Sequence, residues 1–164
     1  SLQGDKEIIE IVQRMGAVLE IGERSVKVFP GKTKGTVIDI SQCPDIGPIL
    51  TVLAALSEGE TRIINAERLR IKESDRITSI KTELNKLGAK IEEDGDSLII
   101  QGVSEFEGGV SVDSWNDHRI AMALAIASTK CKYPILITGA SAVRKSYPNF
   151  WNDFVAMGGK IGEI

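Results

Sequence analysis

The chain has 164 residues, with 20 Lys and Arg against 23 Asp and Glu, so its net charge is −3 when its one His is neutral. Its 42% hydrophobic and 26% charged residues are typical of a folded domain and exclude a disordered, collagen-like or coiled-coil chain. The acidic balance and the 5% aromatic content lack the basic patch and the stacking surface that nucleic acid requires. We expect one domain over residues 1–164 and no nucleic-acid partner.

The apolar stretches of the chain are short. The longest of them, residues 46–56 and 120–127, fall well below the ~18 residues that cross a bilayer. No charged-then-apolar leader opens the sequence. We therefore expect no membrane partner and a cytoplasmic location.

The two cysteines, Cys43 and Cys131, lie far apart in apolar surroundings. With a single His in the chain, this spacing does not match a zinc site. We expect two buried, reduced thiols and no metal, although Cys43 is close enough to a charged motif to be tested for reactivity.

The first predicted element is a helix with apolar residues at positions 8, 11, 12 and 15. It ends at Gly16, and two strands joined by a turn near residues 22–24 follow.

The middle of the chain predicts a complete unit of six elements. They are a strand at 35–39, an apolar helix at 46–56, a strand at 61–65, a helix at 77–87, and two strands joined by a turn at 94–96.

The C-terminal part predicts most of the same unit again. Its elements are a strand at 109–113, an apolar helix at 120–127, a strand at 134–138, and a helix that begins near Phe150. Each predicted helix that leads into a strand pair ends at an equivalent glycine, and these are Gly16, Gly88 and Gly158, 72 and 70 residues apart.

These repeats indicate an α/β (α+β) fold built from βαβαββ units. A pseudo-threefold, inside-out barrel-like domain, with helices inward and sheets outward, explains why the helices at 46–56 and 120–127 are apolar almost all round. Two and a half units suggest that a longer domain has been truncated.

Cations lie at three predicted helix starts, at Arg76, at Arg119 and at the pair Arg144 and Lys145. A helix N-terminus carries partial positive charge, so a basic side chain there is unfavourable for stability. Several such ends together favour a phosphate or carboxylate site. The alternative is that each cation is a solvated surface charge or is paired with a neighbouring acid.

The motif that opens the helix at 77–87 places Lys72 and Arg76 four residues apart and Glu73 and Arg76 three apart, so that they can converge on one spot. Glu73 and Asp45 are candidates for general acid or base chemistry among the cations. Each is equally explained as a stabilising carboxylate at a helix start. The His118 ring is expected to hydrogen-bond the start of its own helix, and the alternative is that it serves as a proton shuttle.

Three runs of this sequence, RIKESDRI (70–77), NDHRIAM (116–122) and KSYPNF (145–150), together with segment 39–45, closely resemble the C-terminal part of the 5-enolpyruvylshikimate-3-phosphate synthase family. The resemblance extends over essentially the whole chain. Three motifs in the right order and spacing are far more specific than one short pattern.

The resemblance implies transfer of the enolpyruvyl group of phosphoenolpyruvate to the 5-hydroxyl of shikimate 3-phosphate, by addition and elimination, with no cofactor. It assigns Asp45 as the base near the hydroxyl and Glu73 as the group that handles the proton at the methylene carbon. The implied substrate-binding residues are Lys72 for shikimate 3-phosphate, Arg76, Arg119 and Lys145 for phosphoenolpyruvate, and His118.

Members of that family have two domains, so the resemblance implies that this chain is a fragment and that the absent N-terminal domain is its partner. On its own, such a fragment is expected to be inactive. Two alternatives remain open, an enolpyruvyl transferase that acts on UDP-N-acetylglucosamine and a non-catalytic domain that binds a phosphorylated metabolite.

Overall fold

Helices and strands follow the predicted order in the computed structural model, which describes residues 6–162. The α-helices of this part of the chain are α1 (Glu7–Arg14), α2 (Gly47–Ala55), α3 (Arg76–Lys86), α4 (His118–Ser128) and α5 (Phe150–Ala156). The strands are β1 (Leu19–Ile21), β2 (Val26–Val28), β3 (Val37–Asp39), β4 (Glu60–Ile64), β5 (Lys90–Asp94), β6 (Ser97–Gln101), β7 (Phe106–Gly108), β8 (Ser111–Asp113), β9 (Cys131–Tyr133) and β10 (Leu136–Thr138).

The middle of the chain forms the complete unit that the sequence predicts, β3-α2-β4-α3-β5-β6. Its four strands make one sheet in the order β3-β4-β6-β5. Strand β3 runs parallel to β4, while β6 is antiparallel to both β4 and β5. Helix α2 is the crossover between the two parallel strands, as a parallel pair requires.

The C-terminal unit repeats the parallel pair, because β8 pairs with β10 in parallel. The structure adds two strands that the sequence analysis did not predict, β7 and β9, which form a second parallel pair. In the middle unit the corresponding contact is only an isolated bridge between Lys34 and Glu58. The two units therefore share their topology but differ in how far the strands extend.

Glycines end three of the helices, as predicted. Gly16, Gly88 and Gly158 have φ values of +96°, +101° and +100°, in the left-handed region that glycine enters without a Cβ penalty. Each follows the last residues of a helix and turns the chain out of it. These repeated glycines are thus explained by backbone geometry.

The core is formed where α2, α3 and α4 contact one another, and the sheets lie outside them. Seven of the nine residues of α2 are buried, and six of the eleven residues of α4. A smaller apolar cluster joins α4 to α5 through side chains such as Ala125, Phe150 and Phe154. The mixed fold with inward helices confirms the predicted fold class.

The longest helices in residues 6–162, α3 and α4, have 11 residues each. No helix in this part of the chain has the length and apolar character needed to cross a membrane.

Candidate active site

Three chain segments meet where the buried helices begin. They are the 3₁₀ turn Pro44–Ile46 before α2, the loop 70–75 before α3, and the loop 114–117 before α4. Asp45 of the first segment contacts Lys72 of the second, and Ser74 of the second contacts Asp117 of the third, so residues far apart in sequence form one cluster.

A buried ion pair lies at the centre of this cluster. The guanidinium of Arg76 donates through Nε to Asp117 Oδ2 (2.8 Å) and through Nη2 to Asp117 Oδ1 (3.1 Å). Arg76 is 2% exposed and Asp117 is fully buried. Asp117 also accepts hydrogen bonds from Ser74 Oγ (3.0 Å) and from the backbone N–H of Arg119 (2.9 Å). Burial alone disfavours its ionised form, but the Arg76 contacts outweigh that cost, so the pKa of Asp117 lies below its ordinary value.

Asp45 is the first partly exposed acid of the site. Its Oδ1 lies 3.0 Å from Lys72 Nζ and 2.9 Å from Arg76 Nη1, and its Oδ2 lies 4.0 Å from Arg119 Nη2. Partial burial raises the pKa of Asp45, and the hydrogen bond from Lys72 with the three nearby cations more than reverses that effect. The carboxylate is therefore held ionised among positive charges.

Glu73 is the second acid, and it has its own set of partners. Its Oε1 lies 3.1 Å from His118 Nδ1 and its Oε2 lies 3.3 Å from Lys145 Nζ. Lys145 also donates to the carbonyl of Asn116. Burial raises the pKa of Glu73, but the His118 and Lys145 contacts lower it further than burial raises it. The structure thus brings together all seven residues that the sequence analysis assigned to a site.

The convergence of Lys72 and Arg76 has a different origin from the one expected. Their convergence was expected from helical spacing, in which residues three or four apart are neighbours. However, α3 begins at Arg76, and Lys72 and Glu73 lie in the preceding loop. That loop is closed by Arg70, which donates to Asp75 Oδ2 (3.2 Å). Arg70 also bonds acidic side chains and a carbonyl around the turn between β5 and β6, which are Glu93, Asp96 and the Gly95 oxygen.

The expectation of three cationic helix starts is correct for two. Arg76 and Arg119 occupy the first turns of α3 and α4. Lys145 does not begin α5, because it ends the 3₁₀ helix Ala140–Lys145, five residues before Phe150. It reaches the cluster through its long side chain, since the fold brings this 3₁₀ helix against α4.

The N-cap carboxylates of α3 and α4 are not the two candidate acids, although Glu73 accepts a long hydrogen bond (3.4 Å) from the backbone N–H of His118 at the start of α4. Asp75 accepts from the N–H groups of Ile77 and Thr78 at the start of α3, and Asp117 performs this role for α4. The turn that contains Asp45 has no side-chain cap hydrogen bond. This removes helix capping as the explanation for Asp45.

The expectation for His118 is wrong. Its ring nitrogen faces Glu73 and does not bond the start of α4, which Asp117 already caps. The physical reason is that the Asp117 side chain already accepts the hydrogen bond from the otherwise free N–H of Arg119.

One group of described residues brings metal-type ligand atoms close together. Glu73, Asp117 and His118 place one such atom each within 4.8 Å of one another. The two oxygens of Asp117, however, already accept four hydrogen bonds, which uses the lone-pair capacity of a carboxylate. The oxygens of Asp117 are therefore already used by hydrogen bonds within the protein and are not available to bind a metal ion.

A cavity of about 200 Å³ opens beside Asp45 and Arg119. Its remaining lining is apolar and comes from α2 and α4. The charged cluster therefore borders a recess between these two helices.

Sequence reasoning missed residues that hold the site in place. Ser74 binds Asp117, and Arg70 closes the loop that carries Lys72 and Glu73. Both lie inside the charged run that drew attention to Lys72, but nothing in sequence spacing distinguishes a supporting residue from one that faces the cluster.

Comparison with known proteins agrees with the geometry. A family model described as EPSP synthase (3-phosphoshikimate 1-carboxyvinyltransferase) matches residues 1–154. Curated relatives named 3-phosphoshikimate 1-carboxyvinyltransferase include those of Clostridium novyi (strain NT), 58% identical over 163 residues, and Clostridium perfringens (strain 13 / Type A), 60% identical over 164 residues. The matches cover 99% of this chain but 37% and 38% of those relatives.

Solved structures show the same relationship. An EPSP synthase from Acinetobacter baumannii matches with a TM-score of 0.86 at 32% identity, over 94% of this chain and 39% of that one. The enolpyruvyl transferase NikO from Streptomyces tendae, at 20% identity, shares the fold with a TM-score of 0.80 over 94% of this chain and 35% of that one. The chain spans well under half the length of these proteins, and over nearly all of its own length it belongs to the EPSP synthase (3-phosphoshikimate 1-carboxyvinyltransferase) family.

Proposed function

We propose that the chain supplies one half of an active site that transfers the enolpyruvyl group of phosphoenolpyruvate to the 5-hydroxyl of shikimate 3-phosphate and releases phosphate. Family membership and the names of the relatives support this activity. The observation that carries it is the placement of two acids, Asp45 and Glu73, each in contact with its own set of cations.

In this proposal the solvent-exposed cations are the main binding groups for the substrate anions. The side chains of Lys72, Arg119 and Lys145 are 24%, 29% and 39% exposed, so a phosphate or carboxylate can approach them. In this assignment Lys72 contacts shikimate 3-phosphate, while Arg119 and Lys145 contact phosphoenolpyruvate. His118 lies beside Glu73 at the edge of the same anion site.

In this proposal Arg76 contributes less to anion binding than the resemblance implies. Its side chain is 3% exposed, and three of its N–H groups already donate to carboxylates. Its Nη1 bonds the partly exposed Asp45, and it is Asp45 that lines the cavity. Its main effect is to fix Asp117 and Asp45 relative to each other.

The acid–base steps follow from the positions of the two carboxylates. Asp45 takes the proton of the 5-hydroxyl as the hydroxyl oxygen bonds to the central carbon of phosphoenolpyruvate, and Glu73 delivers a proton to the methylene carbon. In the second step the phosphate leaves and takes up the proton that Asp45 accepted, while Glu73 removes a proton from the new methyl group to give the enol ether, so that both acids return to their starting states. Each such transfer typically contributes 10²–10⁴ in rate, as an order of magnitude.

Substrate charge makes these roles compatible with the lowered pKa values of both acids. An anionic substrate neutralises the cations and weakens their contacts with the carboxylates, which raises both pKa values. Glu73 can then carry a proton, and Asp45 becomes a stronger base.

The remainder of a full-length family member is the proposed partner, because this chain covers only 37–38% of its relatives. Catalytic groups must be held together in one site for proximity to act. We therefore expect the chain alone to have no measurable turnover.

A phosphate-release assay tests the proposal. The chain is assayed with phosphoenolpyruvate and shikimate 3-phosphate, alone and after mixing with the complementary portion of the Clostridium perfringens relative, and Glu73→Gln in the mixture is the control. The proposal is supported if phosphate is released only in the mixture and if this release is lost when the chain carries Glu73→Gln. Anion binding without turnover in the mixture contradicts it and indicates a binding domain, and turnover with UDP-N-acetylglucosamine as the acceptor contradicts the choice of shikimate 3-phosphate.

A further inference from the structure

The loop 113–117, which leads into the candidate site, contains an unusual backbone conformation. Trp115 and Asn116 have φ values of +53° and +52°. This left-handed region is sterically disfavoured for residues with a side chain, and most of all for a bulky one such as Trp. Two such residues in succession persist only where surrounding contacts impose them.

The same turn in the middle unit does without this conformation. Asp39 accepts a hydrogen bond from the backbone N–H of Ser41, as Asp113 does from that of Trp115, 74 residues later. The residues with side chains and positive φ in the described part of the chain are Asn65, Trp115 and Asn116. The repeat therefore does not require a left-handed pair, and the cause must be specific to the C-terminal unit.

A buried acid on α3 supplies a cause. Glu83 is 1% exposed. Its Oε1 accepts from Trp115 Nε1 (2.8 Å), and its Oε2 accepts from the backbone N–H of Asp113 (3.0 Å) and from Lys86 Nζ (2.7 Å). Glu83 thus holds the loop at two points and directs the indole of Trp115 toward α3.

The shape of this loop decides where several site groups lie. The carbonyl of Asn116 accepts from Lys145 Nζ. The next two residues are Asp117, which holds Arg76, and His118, which contacts Glu73. A change in the left-handed pair would therefore move the contacts of Lys145 first.

We propose that Glu83 and Trp115 are positioning residues, which hold the loop 113–117 in its left-handed conformation and thereby place Lys145 and His118 against Glu73. Their role in turnover rests on the function proposed above. Their effect on the placement of Lys145 is independent of it and is measured separately.

Chemical labelling of Lys145 tests the placement in the 164-residue chain. Trp115→Phe removes the indole N–H that binds Glu83 and keeps an aromatic ring. Trp151→Phe is the matched control, because it removes the chain's other indole N–H, which binds the Ala140 carbonyl at 3.2 Å. Acylation of Lys145 under native conditions is followed by mass spectrometry, with the other lysines as internal references.

We expect Lys145 to be acylated at least about tenfold faster in Trp115→Phe, the change in an equilibrium that loss of one hydrogen bond to a charged group produces, and at the unchanged rate in Trp151→Phe. An unchanged rate in a folded Trp115→Phe chain overturns the proposal. Glu83→Gln is the second variant, because its amide cannot accept from both Trp115 and Asp113, and the same acceleration is expected from it.

Kinetics in the reassembled enzyme separates positioning from simple loss of folded protein. Trp115→Phe is expected to raise the KM for phosphoenolpyruvate by about tenfold while leaving the KM for shikimate 3-phosphate unchanged. A lower kcat with both KM values unchanged means a smaller folded fraction and contradicts positioning. If the reassembled parent shows no turnover, the proposed function fails, whereas the labelling result still decides the role of Trp115.

Discussion

Arg76 and Asp117, 41 residues apart in the chain, form a two-point ion pair at the buried starts of α3 and α4. Arg76 extends this pair to the partly exposed Asp45, and Asp117 extends it to Ser74. The candidate acids are therefore held by a buried framework, and the framework and the acids can be tested separately.

Loss of the buried charge should destabilise the fold severely. Asp117→Asn keeps the size of the side chain and its ability to cap α4, but it leaves the guanidinium of Arg76 buried without its counter-charge. We expect a loss of about 3–5 kcal/mol in the free energy of unfolding, measured by urea denaturation. Glu60→Gln, in an exposed pair with Arg62, is the control and should leave stability nearly unchanged. Similar losses in the two variants would contradict the framework role.

Neutralising either candidate acid should affect rate more than stability. Asp45→Asn and Glu73→Gln are each expected to lower turnover of the reassembled enzyme by about 10² or more, because each removes a group that transfers a proton. Neither side chain caps its own helix, so urea denaturation should show both variants folded. Nearly normal rates combined with reduced stability would mean that these acids serve the structure only.

Removal of Arg119 should weaken anion binding. In Arg119→Gln, Asp45 retains Lys72 and Arg76, so we expect only a small change in Tm. The affinity of the reassembled enzyme for phosphoenolpyruvate should fall by roughly 1.5–3 kcal/mol, the range for hydrogen bonds to charged groups. This loss should shrink at high salt. Titration calorimetry measures both effects, and Arg62→Gln, on β4, is the control cation. Unchanged affinity in Arg119→Gln would end the assignment.

Acid should destabilise the chain partly through Asp117. Burial opposes its ionisation, but Arg76 lowers the pKa of Asp117 below 3.8, its usual value in an unfolded chain. The folded state then binds this proton more weakly than the unfolded state, so the stabilisation is complete above ~pH 4 and is lost as the pH falls through the lower, folded-state pKa. Melting from pH 7 to pH 2 should show a shallower loss in Asp117→Asn than in the parent, and equal slopes would contradict this assignment.

The two thiols should resist alkylation. Cys43 is 1% exposed, and burial raises the pKa of Cys131 to about 11, which leaves only about 0.1% thiolate at pH 8. Mass spectrometry after iodoacetamide treatment should show little labelling at pH 8 and a rate at Cys131 that rises with pH. Rapid labelling of Cys43 in the folded chain would contradict this and show that the thiol near the charged motif is reactive.

The order of most elements, the repeated unit, the glycine helix ends and the family can be read from the amino-acid sequence alone. These features are local, because helix and strand periodicity and the left-handed glycines at positions 16, 88 and 158 depend on neighbours within a few residues. The short strands β7 and β9 were missed, and they are strands because they pair with each other across the fold.

Which charges pair with each other depends on the three-dimensional fold. The sequence singled out Arg76, Glu73 and Lys145 as site residues, but it did not indicate that Arg76 would be buried against Asp117 or that Lys145 would reach Glu73, 72 residues away. Partners at such separations are chosen by how helices and sheets pack, and their energies depend on burial, which spacing does not encode. For the same reason Glu83 and Trp115 stood out only once α3 and the loop 113–117 were seen in contact.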